Sequence, residues 1–394
     1  MSAFLFAVPP LVGHINPTVA VCAELGARGH RVAWVCPDPG LVTRLAGAAA
    51  TVFPCAGVAG VERPPELRGP EALKFLWERY LLPLADAMAP GVRSAVREFR
   101  PDVVVADQQA FAGAMVAERL GLPWATSATT SAEFTAAYDG MPKVAEWLRA
   151  RLSELSGRIG DPTGSADPRF SPYLALAFST PELVGPTARQ GETVHYVGPS
   201  ITDRPAGPGF PWEWLDPSRA TVLVTLGTAN ADAGARFLGE CLAALRERAD
   251  RVQGVCVDPG GTLPAQGADK DVLVLPFVPQ LPLLQRADAV ICHAGHNTVC
   301  EALWHGVPLV VAPIRDDQPV VAAQVVDAGA GVRVRFGRVT AARLGAALDT
   351  VLHEPAHRAA AARLRTAMRG AGGATAAADH LERLAAGRAP GAPG

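Results

Sequence analysis

The sequence predicts an α/β protein of two domains, each built on a parallel sheet covered by helices. Three observations carry this expectation. Short apolar runs alternate with amphipathic helical runs in both halves of the chain, and a Pro- and Gly-rich break stands between the halves. The 394 residues, 49% of them hydrophobic, also exceed the roughly 250–300 at which a single core stops growing.

In chain order, AFLFAV (3–8) is an apolar run of strand length and PPLVGHINP (9–17) is a loop. TVAVCAELGARG (18–29) then has helical spacing until Gly29 stops it, and RVAWVC (31–36) is a second strand. Strand, helix and strand in this order form a βαβ unit and so a parallel sheet. The pattern recurs in DVVVAD (102–107), FAGAMVAERLG (111–121) and LPWATSA (122–128), while 153–170 turns polar and Gly-rich and reads as a surface excursion. The break at 202–213, TDRPAGPGFPWE, interrupts all periodicity. We therefore expect a first domain over 1–203, a linker over 204–213 and a second domain over 214–394. The second alternation runs through TVLVTLG (221–227), a helix over 233–248, VQGVCV, VLVLPFV, AVICHAG, a helix over 297–305 and PLVVAP.

Composition removes several function classes. Lys and Arg total 36 against 38 Asp and Glu, a formal net charge of -2, so no basic field gathers a nucleic acid. No window approaches the roughly 20 apolar residues needed to span a bilayer, so membrane insertion is not expected. The opening MSAFLFAVPPLVGHINP lacks a basic start, and Pro9 and Pro10 break its apolar run, which argues for a cytoplasmic protein. The seven cysteines form no CxxC pair and read as reduced, buried, small hydrophobes. No GxGxxG follows the first strand and no GxxxxGK[ST] occurs, against a dehydrogenase and a Walker-type NTPase.

Parallel sheets bind ligands outside the carboxyl ends of their strands, so the chemistry is sought there. The strand ADAVICH ends at His293, and a helix starts near Asn297. Such a helix N-terminus favours an anion. Gly295 lets the backbone approach it, and His293, Asn297 and Thr298 offer further donors, so neither Lys nor a metal is required. Glu301 lies on nearly the same helical face as Asn297, where a carboxylate suits two vicinal ribose hydroxyls; an N-cap followed by a capping-box-like acid is the structural alternative. TLGT (225–228), VPQ (278–280) and APIRDDQP (312–319) bring further small, polar or bidentate groups to the same predicted sheet edge.

In order and spacing, GHINP (13–17), TLGT (225–228), FVPQ (277–280), HAGHNTVCEALWHGVP (293–308) and DDQP (316–319) resemble the nucleotide-sugar-dependent glycosyltransferases. That family has two facing Rossmann-like domains with a cleft between them, the GT-B fold, and includes the bacterial enzymes that decorate antibiotics. The resemblance covers nearly the whole chain. It implies a TDP- or UDP-sugar co-substrate bound by the second domain without a metal, a hydrophobic acceptor bound by the first, and a last helix (about 374–386) packing back on the N-terminal domain. By the same resemblance, His293, Asn297 and Thr298 hold the diphosphate with help from Thr228. Glu301 binds the ribose, Phe277, Val278 and Gln280 lie at the base, and Asp317 and Gln318 hold sugar hydroxyls. The chain departs from the family pattern in having Phe277 where plant members carry Trp, and in having the apolar Val320 and Val321 after the Asp-Gln-Pro segment.

An acceptor hydroxyl needs a base as the anomeric carbon develops oxocarbenium character. His14 lies in the loop after the first strand, where a lone histidine is more often structural; the match of GHINP to the family implies the base. Asp107, at the end of DVVVAD on the same edge, is its implied orienting partner, in the logic of a catalytic triad. A single displacement predicts inversion. Phe75, Trp77, Tyr80, Phe111, Phe134, Tyr138, Met141 and Trp147 are concentrated in the first half; most should be core, and a minority could line a pocket for a flat aglycone. The rival readings are a nucleotide-sugar epimerase of the same fold and a non-catalytic helper or binding protein. The expected partners are the two small molecules, with a homodimer as the one protein assembly considered.

Overall fold

The apolar runs at 3–7, 103–107, 124–128 and 289–292 form strands buried on both faces, as central strands of a helix-covered parallel sheet must be. The computed structural model describes residues 1–61, 64, 67, 69–135, 141–164, 167–186, 191–202, 209–227, 234–263 and 269–387. It divides into two compact units: Met1–Thr180 with Thr187–Pro205 and Ala371–Gly394, and Pro181–Pro186 with Ala206–Gly370.

The first unit contains β1 (Ala3–Ala7), α1 (Val12–Ala27), β2 (Arg31–Cys36), α2 (Pro39–Ala46), β3 (Val52–Pro54), α3 (Gly69–Phe75), a π-helical turn (Leu76–Leu81), α4 (Leu82–Phe99), β4 (Val103–Asp107), α5 (Phe111–Arg119), β5 (Trp124–Ala128), α6 (Pro142–Ile159), β6 (Ala175–Ala177) and β7 (Val194–Tyr196). Its seven strands are parallel in the order β3-β2-β1-β4-β5-β6-β7. The strand order reverses between β1 and β4, and a crevice opens at such a switch point outside the strands' carboxyl ends.

Three expectations change here. Helix α1 starts at Val12 rather than after Pro17, so His14 stands in a first helical turn and not in a loop. The N–H groups of His14 and Ile15 both donate to the Leu11 carbonyl at 3.0 Å and begin the helix. Pro17 removes only the bond that would reach Gly13, and Thr18 Oγ1 donates to the Ile15 carbonyl at 2.7 Å. Helix α6 runs through the first part of the expected excursion, because Leu148, Leu152, Leu155 and Ile159 bury one face at helical spacing; irregular chain begins at Gly160. Finally, the first unit is not the uninterrupted stretch 1–203. A short helix, α7 (Pro181–Val184), groups with the second unit, where Leu183 joins the core. Phe210, inside the expected linker, is buried in that same core; residues 203–208 of the linker lie outside the described residues.

The second unit contains β8 (Ala220–Thr225), α8 (Ala235–Arg246), β9 (Val252–Val257), β10 (Val272–Leu275), α9 (Gln280–Leu284), β11 (Ala289–Cys292), α10 (His296–Trp304), β12 (Leu309–Val311), α11 (Gln318–Asp327), β13 (Gly331–Arg333), α12 (Ala341–His353) and α13 (Pro355–Gly370). Its six strands are parallel in the order β10-β9-β8-β11-β12-β13, with the switch point between β8 and β11. The last helix, α14 (Gly373–Ala385), belongs to the first unit. Ala377, Ala378, Leu381 and Leu384 are buried there in a core shared with Ile15, Val21 and Leu25 of α1. Among the described residues no helix is long and apolar enough to cross a membrane.

Candidate active site

In the first unit the switch point brings together two residues 93 apart in sequence. Asp107 is the last residue of β4 and is fully buried; His14 sits in the first turn of α1, just after β1. His14 Nδ1 lies 2.9 Å from Asp107 Oδ1 and 3.0 Å from Oδ2. A carboxylate accepts only, so this contact puts the ring hydrogen on Nδ1 and leaves Nε2 as the basic nitrogen. The carboxylate is itself held: the Gln109 N–H donates to Oδ1 at 2.8 Å, and Thr129 Oγ1, just after β5, donates to Oδ2 at 3.0 Å. The sequence reasoning missed Thr129. Its only signal is the hydroxyl run TSATTS at the end of a buried strand.

Of the apolar residues expected near an acceptor, Trp77, Phe111 and Phe134 are core residues, whereas Phe75, Tyr80 and Trp147 are half-buried and Met141 is exposed. Tyr138 lies outside the described residues. Tyr80, on the π-helical turn, has its phenol pushed up to about 12, first by burial and then by the charges of Cys36 and Asp107. Short π-helical segments are frequent at functional sites, where their wider turn re-aims side chains.

In the second unit β11 delivers His293, which is 8% exposed, to the start of α10. The backbone there is shaped for close approach. Ala294 adopts φ +63° and Asp316 φ +57°, left-handed values that cost a residue with a side chain about 1 kcal/mol or more. Gly227 follows β8 at φ +67°, and a Cβ on it would stand 2.8 Å from His293 Cε1. Gly295 leaves room for the other side of the same ring. Burial pushes the His293 imidazole down to about 4; the neighbouring Thr225 backbone opposes this and the Arg315 cation adds to it. The ring is therefore neutral near pH 7, and its buried Nδ1 has no partner among the described residues. Arg315, in the loop after β12, was also missed from sequence, where it was one arginine in APIRDDQP.

Asn297 and the buried Thr298 occupy the first turn of α10, whose backbone N–H groups have no acceptor one turn back within the helix. Glu301 is buried one turn on, and its Oε2 accepts from Gln280 Nε2 at 2.6 Å, joining two side chains that the sequence had treated separately. Phe277 is 50% exposed, so its ring is open to a planar partner, while Val278 is buried. Gln318 is turned inward: its Oε1 accepts from the Ile314 and Arg315 N–H groups at 2.9 and 3.0 Å and closes the loop that holds Asp316 and the half-buried Asp317. Thr228 lies outside the described residues.

Comparison with known proteins gives a consistent picture. Residues 263–384 match the family described as Erythromycin biosynthesis protein CIII-like, C-terminal domain, and residues 15–159 match the Glycosyl transferase 4-like domain. The chain is 32% identical to 4'-demethylrebeccamycin synthase of Lentzea aerocolonigenes, over 92% of this chain and 94% of that protein. It is 30% identical to demethyllactenocin mycarosyltransferase of Streptomyces fradiae, over 98% of this chain and 87% of that one. Among solved structures it is similar to the glycotransferase of kitacinnamycin, with a TM-score of 0.81 and 27% identity over 97% of this chain and 98% of that chain.

Proposed function

Because the chain belongs to the antibiotic-type, nucleotide-sugar-dependent glycosyltransferases with the GT-B fold, we propose that it moves a hexose or deoxyhexose from a TDP- or UDP-sugar to a hydrophobic natural product such as a polyketide, with inversion at the anomeric carbon. The observation that carries the catalytic part of this reading is the contact of His14 Nδ1 with Asp107. It leaves Nε2 to take the proton of an acceptor hydroxyl while the oxygen of that hydroxyl bonds to the anomeric carbon. The bond from that carbon to the diphosphate breaks in the same displacement, and the leaving charge goes to the start of α10, where Asn297, Thr298 and the glycine-flanked His293 stand.

Glu301 with Gln280 would take the ribose, Phe277 and Val278 the base, and Asp317 with Gln318 the sugar. Thr228 would assist at the phosphates. Neutralising the diphosphate by helix amides, with Arg315 nearby, is why this reading requires no metal. The protein is then a cytoplasmic enzyme whose partners are two small molecules.

The experiment is turnover of TDP- and UDP-sugars with hydroxylated aromatic and macrolide acceptors in the presence of EDTA, on the wild type and on His14→Ala. Wild-type product should carry the anomeric configuration opposite to the donor's. His14→Ala should lose a factor of about 10²–10⁴ in turnover, with TDP and UDP affinity unchanged by calorimetry. Retention of configuration, or a loss of donor affinity at normal turnover, would remove His14 from the role of base.

A further inference from the structure

The His14 ring faces a third oxygen besides the two of Asp107. Thr129 Oγ1 lies 2.8 Å from His14 Nδ1, closer than either carboxylate oxygen. The Thr129 side chain can do two things at once. Its hydrogen goes to Asp107 Oδ2, which only accepts, and its lone pair is then turned to the N–H on His14 Nδ1. Thr129 is 4% exposed, so these partners are not exchanged for bulk water. With the Gln109 N–H on Oδ1 and the Thr129 hydroxyl on Oδ2, neither carboxylate oxygen can leave the ring without breaking a second bond.

We propose that Thr129 is a positioning residue of the transfer reaction: its hydroxyl locks the Asp107 carboxylate and holds His14 in the tautomer with hydrogen on Nδ1. The role is carried by the place of Thr129 in the fold. β5 lies beside β4 in register, Asp107 opposite Ser127, so the residue that follows the strand end reaches over the carboxylate. A hydroxyl donates to a carboxylate and accepts from an imidazole N–H through the same oxygen. Valine has the same shape and does neither, whereas serine does both.

This inference rests on the reading of His14 as the base, and its test separates the two. In protein labelled with ¹⁵N at histidine, the His14 ring signals, assigned by their loss in His14→Ala, report the tautomer without any substrate. In Thr129→Val the Asp107 carboxylate, no longer held at Oδ2, should turn away from the ring, so that the Nδ1–H tautomer gives way to a mixture and kcat falls about tenfold, the worth of one hydrogen bond, while the acceptor KM and the donor Kd stay within about twofold. Thr129→Ser should restore both the ring signals and most of the turnover. If valine is not accommodated, Thr129→Ala removes the same hydroxyl without adding bulk. His14 ring signals that stay as in the wild type when the hydroxyl is gone overturn the inference, whatever happens to turnover. A tautomer that shifts with no change in kcat would show that Thr129 fixes the ring but overturns its part in the transfer, and it removes His14 from the chemistry as well.

Discussion

A side chain at Gly295 must displace His293, because the place its Cβ would fill is occupied by Nε2 of that ring. The two residues flank Ala294, whose left-handed backbone folds the chain back on itself and brings the ring against the glycine. Gly295→Ala must therefore either rotate the imidazole or shift the start of α10. Either movement acts at the point where the diphosphate is expected. The variant should fold, since the residue is half-buried at a helix end, but its affinity for UDP and TDP should fall at least about tenfold. Calorimetry with circular dichroism as a control checks this. Wild-type affinity in the alanine variant would show that the His293 ring is not part of the anion site.

Gln280 and Glu301 should act on the nucleotide as one unit. Their side chains meet at 2.6 Å, and Glu301 is 4% exposed, so its orientation depends on the amide that donates to it. Gln280→Ala and Glu301→Ala should each weaken UDP binding, and the double variant should be little worse than the weaker single one. The coupling free energy expected for residues in direct contact is about 0.5–3 kcal/mol. Additive losses in the double-mutant cycle would mean that the two residues contact the nucleotide independently.

The fold was legible because the central strands β1, β4 and β11 are buried on both faces and are largely apolar, while β4 ends at Asp107 and β11 is followed by His293. His14 and Asp107 were paired through the resemblance of GHINP to the family, and the shared edge of the parallel sheet made that pairing sterically reasonable. Thr129 stayed hidden for a physical reason: a hydroxyl after a buried strand has many available partners, and only the register of β5 on β4 selects Asp107. The start of α1 was misread because Pro17 looks like a first-turn residue, whereas here the helix tolerates it further in. The grouping of α7 with the second unit had no local signal at all. It depends on where Leu183 is buried, which is a tertiary fact.

Acid should destabilise the protein through His293. The folded value of about 4 lies below the ordinary 6.5, so the unfolded chain binds a proton there that the native ring refuses. The associated stability is fully present above pH 6.5 and is lost as the pH falls from 6.5 toward 4. Its size is on the order of 3 kcal/mol. His380, half-buried against His195 and near Arg383, is pushed down to about 4 mainly by burial and acts in the same direction. Urea midpoints at pH 7.5 and pH 4.5 should therefore drop less in His293→Asn than in the wild type, the His380 contribution being common to both. An equal drop would place the His293 ring in a more hydrated setting than its 8% exposure implies.

The last helix offers a contest between two kinds of contact. Arg28, the residue just after α1, reaches Asp379 Oδ1 at 2.6 Å and Glu382 Oε2 at 2.9 Å, and His30 Nε2 lies 2.7 Å from Glu382 Oε1. These ion pairs are conspicuous, yet Asp379 is 48% and Glu382 33% exposed at the side chain, so water and salt screen them. Leu381, on the opposite face, is fully buried among α1 and the sheet. Arg28→Ala should thus cost only about 1 kcal/mol or less, and less again in 0.5 M salt. Leu381→Ala should cost about 2–5 kcal/mol and be insensitive to salt, because it leaves a cavity rather than a charge. A helix of 13 residues is marginal in isolation, so α14 depends on this buried face to remain helical. Paired thermal and urea melts at low and high salt decide the matter. If Arg28→Ala proves the more damaging of the two, the charged clamp and not the apolar face holds the end of the chain on the first unit.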